Sequence, residues 1–265
     1  MPAAQYGKTR NVWDFWVFKV GINVEGKEVF YTEEHQQLVD TSVEKNPFSQ
    51  ITHGIPVRSV FRRRTASNND KGDGNPLIYA LKRSFGWRIQ LVEVLKFMPN
   101  LRCIVQVAMQ EEPYDAIVAL PSSHPIAGTL AKIAGRYQRE AVMHFDIFEK
   151  CTNAEVAQGL QADLQARLIP SKDRRGVTSL IHSLGTSPDQ LFSLKLVDNH
   201  LRGYTNPFKL TGTVSFADQR VLIVDDLLSS GTSLSTAGRL IIQAGAQRVS
   251  ALCLLSSLGK GKPRT

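Results

Sequence analysis

The chain has 265 residues, ordinary apolar and charged content and a formal charge of +8, which suits one large or two smaller domains that bury a core without covalent staples. Its three cysteines, Cys103, Cys151 and Cys253, are odd in number and far apart, a pattern of neither a disulfide framework nor a zinc site. The opening residues lack an uninterrupted apolar h-region and no apolar run reaches the length of a membrane span, so the expectation is a cytoplasmic protein with no membrane partner.

In chain order, residues 12–31 read as two strands rich in aromatics and valine, turned into a hairpin by Asn23 to Gly26. Arg58, Arg62, Arg63 and Arg64 form a basic cluster, which suits a polyanionic small molecule, a nucleic acid or merely a solubilising surface. Residues 65–76 are polar, glycine-rich and closed by Pro76, the clearest loop in the chain. Helical periodicity follows at about 77–86 and 91–97, and 101–109 fits a helix or a strand. These first 110 residues are expected to form a cap or an extra domain.

After Pro113 the pattern changes. AIVAL (116–120) is a short continuous apolar run, as in a strand covered on both faces. A helix is predicted over 125–138, a strand over 141–148, and a long polar, irregular stretch from about 150 to 218. RVLIVDD (220–226), a helix at about 232–244 and VSALCLLS (249–256) complete the series. Alternating strands and helices predict an α/β fold, an open parallel sheet with flanking helices, over residues 111–258. Residues 259–265 form a basic tail carrying Lys260, Lys262 and Arg264.

The chemistry concentrates in VLIVDDLLSSGTSL, residues 221–234. Asp225 and Asp226 stand at the carboxyl end of a buried strand, where open α/β sheets place their ligands. Ser229, Ser230, Gly231, Thr232 and Ser233 then lead into a helix, so that backbone N–H groups, hydroxyls and the helix dipole can converge on an anion. Ionised carboxylates only accept hydrogen bonds, so the pair suits sugar hydroxyls rather than phosphate. A phosphorylated sugar satisfies both halves. A receiver domain is excluded because only one strand follows Asp226, and a nucleoside-triphosphate P-loop because GxxxxGK is absent.

The same segment resembles the PRPP-binding motif of type I phosphoribosyltransferases, PRPP being 5-phosphoribosyl-1-pyrophosphate. The resemblance covers about residues 113–258. It implies that Asp225 and Asp226 hold the ribose hydroxyls, that Ser229 to Ser233 wrap the 5-phosphate, and that Ser122, Ser123 and His124, in the turn after the first core strand, face pyrophosphate. LRGYTNPFKL (201–210), with Arg202, Asn206 and Phe208, is similar to a segment of the ComF branch of that family. The stretch 150–218 would correspond to the family's closing loop, whose basic residue approaches pyrophosphate; Arg174, Arg175, Lys195, Arg202 and Lys209 are candidates, Arg202 and Lys209 foremost.

The implied reaction transfers the phosphoribosyl group to a nitrogen acceptor, normally a nucleobase, with release of pyrophosphate. Mg²⁺ would be held through PRPP rather than by a protein cage, and the chain would act as a homo-oligomer. Two other readings stay open on sequence: a non-catalytic PRPP- or nucleotide-binding regulator that touches nucleic acid or a protein partner, and a nucleotide-depleting effector of a bacterial defence or toxin system.

Overall fold

The computed structural model describes residues 20–64, 75–122, 124–212 and 214–258. In chain order the strands and helices are β1 (Gly21–Glu25), β2 (Glu28–Thr32), β3 (Val39–Asp40), β4 (Phe48–Thr52), β5 (Ile55–Arg63), α1 (Asn75–Leu81), β6 (Arg88–Ile89) and α2 (Leu91–Gln110). They continue as β7 (Ala116–Ala119), α3 (Ile126–Gly135), β8 (Val142–His144), β9 (Phe148–Lys150), α4 (Asn153–Gln165), α5 (Ser171–Gly185), β10 (Phe208–Leu210), β11 (Arg220–Leu227), α6 (Thr232–Gln243) and β12 (Arg248–Leu255).

The central sheet runs β3-β5-β12-β11-β7-β8, with β4 also paired to β5. Its inner strands are parallel: β5 to β12, β12 to β11, β11 to β7 and β7 to β8. Successive residues of β11 show why the run had to be continuously apolar. Leu222 and Val224 enter the core with α1, α2 and α3, while Val221 and Ile223 enter the core with α6. Both faces are covered, so between Arg220 at its start and Asp225 at its carboxyl end every position is apolar. The fold is therefore the expected α/β arrangement, a mostly parallel sheet flanked by helices.

The sheet crosses the boundary expected near residue 110. Strand β5 pairs with β12, and Val60, Phe61, Phe97, Leu101 and Ile104 share one buried cluster with Leu222, Val224, Leu252 and Leu254. The described residues 20–64 and 75–110 thus complete one edge and one face of the sheet.

Several element boundaries differ from expectation, each for a local reason. The hairpin turns at Gly26 and Lys27, because Gly26 takes the left-handed φ of 58° that the turn requires, so Asn23 and Val24 stay in β1; residues 12–19 lie outside the described ones. Residues 65–74 of the expected loop lie outside the described ones, and Pro76 sits in the first turn of α1, where a missing N–H costs nothing. Helix α1 stops at Leu81 instead of continuing to 86, since Ser84 N–H returns to Tyr79 O at 2.8 Å with Arg83 left-handed at φ 50°. Residues 91–110 form one helix through Pro99. The strand expected over 141–148 breaks after His144, and Phe148–Lys150 pairs instead with Phe208–Leu210 in a separate antiparallel ribbon.

The largest correction concerns residues 150–218, which are not an irregular loop. Thr152 and Glu155 make a reciprocal capping box that starts α4. Val156, Leu160 and Leu164 then line one side of α4, and Val177, Leu180, Ile181 and Leu184 one side of α5. These stripes, with Ile169, Phe192, Val197 and Leu201, close into a hydrophobic core of their own. Each helix is apolar on one side only, so the stretch reads as polar on average although its period is helical.

Candidate active site

The chain leaves β7 through α3 to β8 on one side, and leaves β11 through α6 to β12 on the other. The loops at the carboxyl ends of β7 and β11 therefore diverge, and a crevice opens between them at the topological switch point. A cleft of about 320 Å³ occupies it. Asp225, Asp226, Ser229, Ser230, Gly231, Thr232 and Ser233 line one side, and Ser122 and His124 the facing loop. Ser123 lies outside the described residues.

The acidic pair is built by the end of β11. Asp225 Oδ1 accepts from the backbone N–H of Asp226 at 2.8 Å. Asp226 is 5 % exposed, and its Oδ2 accepts from Ser122 Oγ at 3.2 Å, which ties the two loops together. The same oxygen pairs with Lys82 Nζ at 2.6 Å. Burial, and then the negative charge of Asp226, push the Asp225 carboxyl up to about 7, against the smaller opposing pull of the Asp226 N–H and Lys82. Behind the pair, Cys253 is the parallel neighbour of Asp225. Burial first and the two carboxylates second push its thiol well above the ordinary range, so this sulfur is inert.

That elevated carboxyl has a stability consequence whose sign is fixed. Folding favours the protonated form of Asp225, so its contribution is fully present below the unfolded value near 4 and is lost as pH rises through about 7. Asp115 works in the opposite sense: its hydrogen bonds from Arg220 hold it down at about 2, so its contribution is lost only in acid. The wild type is therefore expected to lose stability relative to Asp225→Asn between pH 4 and pH 7. Denaturation of both proteins across that range checks it, and parallel curves would remove the burial argument.

The segment after the pair has the features of an anion cradle. Gly231 takes φ 79° and ψ 1°, places Thr232 at the start of α6, and accepts from Ser235 N–H at 2.8 Å. Ser230 Oγ and Thr232 Oγ1 stand 3.0 Å apart. No acidic residue occupies the first turn of α6, so its positive dipole end faces the cleft uncompensated. On the facing loop, His124 N–H donates to Ser122 Oγ at 3.3 Å.

Further residues from the amino-terminal region reach the site. At the tip of the β4–β5 hairpin, His53 Nε2 lies 3.0 Å from Ser230 O, and Thr52 packs so close that a side chain on Gly231 would strike its methyl group. Arg63 is buried and donates to Leu228 O at 3.0 Å, to Ser256 O and to Asn75 Oδ1, bracing the chain just after β11. Lys82 and Ser84 line the cleft directly. Apart from Arg63, which the sequence shows only as part of a basic cluster, none of these is visible in it, because none carries a motif and each is far from residue 225 along the chain.

The arginine cluster also turns inward. Arg58 pairs with Glu111 at 2.9 Å and donates to Tyr114 Oη at 2.8 Å, Arg62 lies over the Phe48 ring, and Arg64 pairs with Asp40 at 2.6 Å. With Arg63 committed as above, the cluster is internal bracing rather than an open basic patch. The tail cations Lys260, Lys262 and Arg264 lie outside the described residues.

The expected closing-loop cations separate. Arg202 lines the cleft beside Phe192, Leu194, Lys150 and Phe208, its Nε donating to Val197 O at 2.9 Å. Lys209 is turned away, its Nζ paired with Glu155 at 2.6 Å and with Glu149 at 3.7 Å. Arg174 Nε donates to Ile169 O, and Asn206 accepts from Arg239.

Together the fold and cleft define a mostly parallel α/β protein with a polar cleft at its switch point. The family model for the phosphoribosyl transferase domain matches residues 153–265, a stretch that contains the acidic pair and the cradle. A search of curated proteins gave no match. The family-model match supports the type I phosphoribosyltransferase family for that part of the chain, and a domain of this family implies PRPP binding. Among the described residues, no helix is long and apolar enough to cross a membrane.

Proposed function

We propose that the chain is an active phosphoribosyltransferase that moves the 5-phosphoribosyl group of PRPP onto a nitrogen acceptor, a nucleobase or a close relative, and releases pyrophosphate. One observation supports this most: the carboxylate pair, the small-residue cradle before α6 and the Ser122–His124 loop all line one cleft. Each carries a different part of PRPP. The cradle amides and the hydroxyls of Ser229, Ser230, Thr232 and Ser233 take the 5-phosphate. Asp225 and Asp226 accept from the ribose hydroxyls. Ser122 and His124 face the pyrophosphate, and Arg202 and Lys150, which also line the cleft, add positive charge.

The acceptor nitrogen forms the new bond to C1 as the bond from C1 to the pyrophosphate oxygen breaks, and the acceptor's proton leaves to solvent. Positive charge gathers on the ribose as this happens. The two carboxylates beneath it are fixed before the reaction begins, so they stabilise that charge without rearranging.

Magnesium fits this site only through its ligand. Among the described residues no group of three or more acidic, His or Cys side chains converges, and a lysine ammonium already contacts Asp226. Mg²⁺ commonly rides on phosphates with one or two carboxylates rather than in an all-protein cage. Asp225 and Asp226 would hold it together with PRPP, and it would supply charge neutralisation to the leaving pyrophosphate.

The test is pyrophosphate release from PRPP with Mg²⁺, measured against a panel of nucleobases and paired with calorimetric titration of PRPP alone. Release that depends on one acceptor is the expected result. Binding without release under every acceptor would instead make the chain a PRPP-binding regulator.

A further inference from the structure

Lys82 is the one ammonium in contact with the acidic pair among the described residues, and it comes from the α1–β6 connection, outside the stretch matched by the family model. Its contact is specific. Asp226 Oδ2 receives Lys82 Nζ at 2.6 Å and Ser122 Oγ at 3.2 Å, and one carboxylate oxygen has two lone pairs to give. That oxygen is therefore fully engaged, although the reading above requires the pair to accept from ribose hydroxyls. A hydroxyl that takes this position must displace one of the two donors.

The geometry says which donor can leave. The backbone of Lys82 is pinned: its N–H returns to Ile78 O at 2.9 Å, and the next two amides close the end of α1 on Ala80 O and Tyr79 O. Its side chain is a flexible four-carbon stem, 24 % exposed, along the cleft wall. Because Lys82 and Ser122 meet at one oxygen, the ammonium already stands next to the loop that faces pyrophosphate. Rotation of the stem alone would carry the charge from the carboxylate toward that loop, with no movement of the main chain.

We propose that Lys82 is an exchangeable counter-cation: it neutralises Asp226 in the free protein and transfers to the pyrophosphate group when the ribose hydroxyls take over the carboxylate. The exchange makes the two halves of PRPP cooperative. The sugar frees the lysine, and the lysine then holds the leaving group. This rests on the assignment of the cleft to PRPP and adds to it a positioning residue that also resists binding of the sugar alone.

The two halves of the ligand separate the idea from a bracing role. Ribose 5-phosphate and pyrophosphate are titrated separately, each with Mg²⁺, into wild type, Lys82→Ala and Lys82→Arg, with thermal unfolding verifying each fold. In Lys82→Ala, ribose 5-phosphate is expected to bind about fivefold tighter, because a competing ion pair is gone. Pyrophosphate is expected to bind about tenfold weaker, because a charged donor is gone. Lys82→Arg keeps the cation and should stay near wild type for pyrophosphate. Equal weakening of both probes would identify a brace and overturn the proposal, as would no change in either. A wild type that binds neither probe would overturn the PRPP assignment itself, and the exchange with it.

Discussion

Replacing both Asp225 and Asp226 by asparagine is expected to abolish measurable PRPP turnover and to weaken PRPP binding by about 100-fold or more, while the protein stays folded. The size follows from what the pair would do. A hydrogen bond from a hydroxyl to an ionised acceptor is worth about 1.5–3 kcal/mol, and two such bonds disappear together. Asparagine also presents an NH₂ group where an acceptor is needed, so part of the site turns repulsive. The effect on the chemical step comes in addition, because in the proposed reaction the charges would lie where positive charge grows; loss of one preorganised electrostatic partner costs about 10²–10³ in rate in comparable sites.

The same double substitution separates chemistry from structure. Burial raises the Asp225 carboxyl toward neutrality, so its ionised form costs stability at pH 8 and the amide relieves that cost. Activity should therefore vanish while the midpoint of thermal unfolding holds or rises. Lys82 loses its partner but sits at the cleft wall, where water can solvate it. Turnover within threefold of wild type in the double variant would show that the motif is a scaffold and that the reaction, if any, occurs elsewhere.

The parts of this site that were legible in the sequence are those carried by contiguous residues. A strand buried on both faces must be apolar, so Val221 to Val224 announced β11, and the polar pair that ended the run had to lie at the ligand edge of the sheet. Gly231 and its hydroxyl neighbours announced a turn before a helix for equally local reasons. Lys82, His53, Thr52 and Arg63 were not legible, because their roles depend on β5 docking beside β12, a pairing between residues almost two hundred positions apart. Arg63 illustrates the cost of that blindness. In sequence it belongs to a basic run resembling an open patch, whereas the fold buries it against Leu228 O. Residues 150–218 failed for another reason. A helix that packs on one side only is mostly polar, and its apolar stripe is visible only at a spacing of three and four.

Gly231→Ala is expected to weaken PRPP binding by about tenfold or more, chiefly through the phosphate end. Two costs combine. The backbone at φ 79° is left-handed, where a residue with a Cβ is strained by about 1 kcal/mol. The new Cβ would also clash with Thr52 Cγ2 and fall 3.1 Å from His53 Cδ2. Thr52 branches at Cβ and has little rotational freedom to retreat, so the cradle or the hairpin tip must shift. Either movement strains the contact between His53 and Ser230 O that links them. The amides proposed to take the 5-phosphate would then lose their arrangement. Thr52→Ser removes the offending methyl, and in that background Gly231→Ala should recover part of its PRPP affinity, leaving only the backbone cost. Thr52→Ser alone should bind nearly as well as wild type. Calorimetric titration of the four proteins in this cycle isolates the coupling between the two positions. A coupling near zero would mean that the hairpin merely touches the loop. A large one would show that the amino-terminal strands hold the phosphate cradle in shape, and so belong to the site as fully as the motif itself.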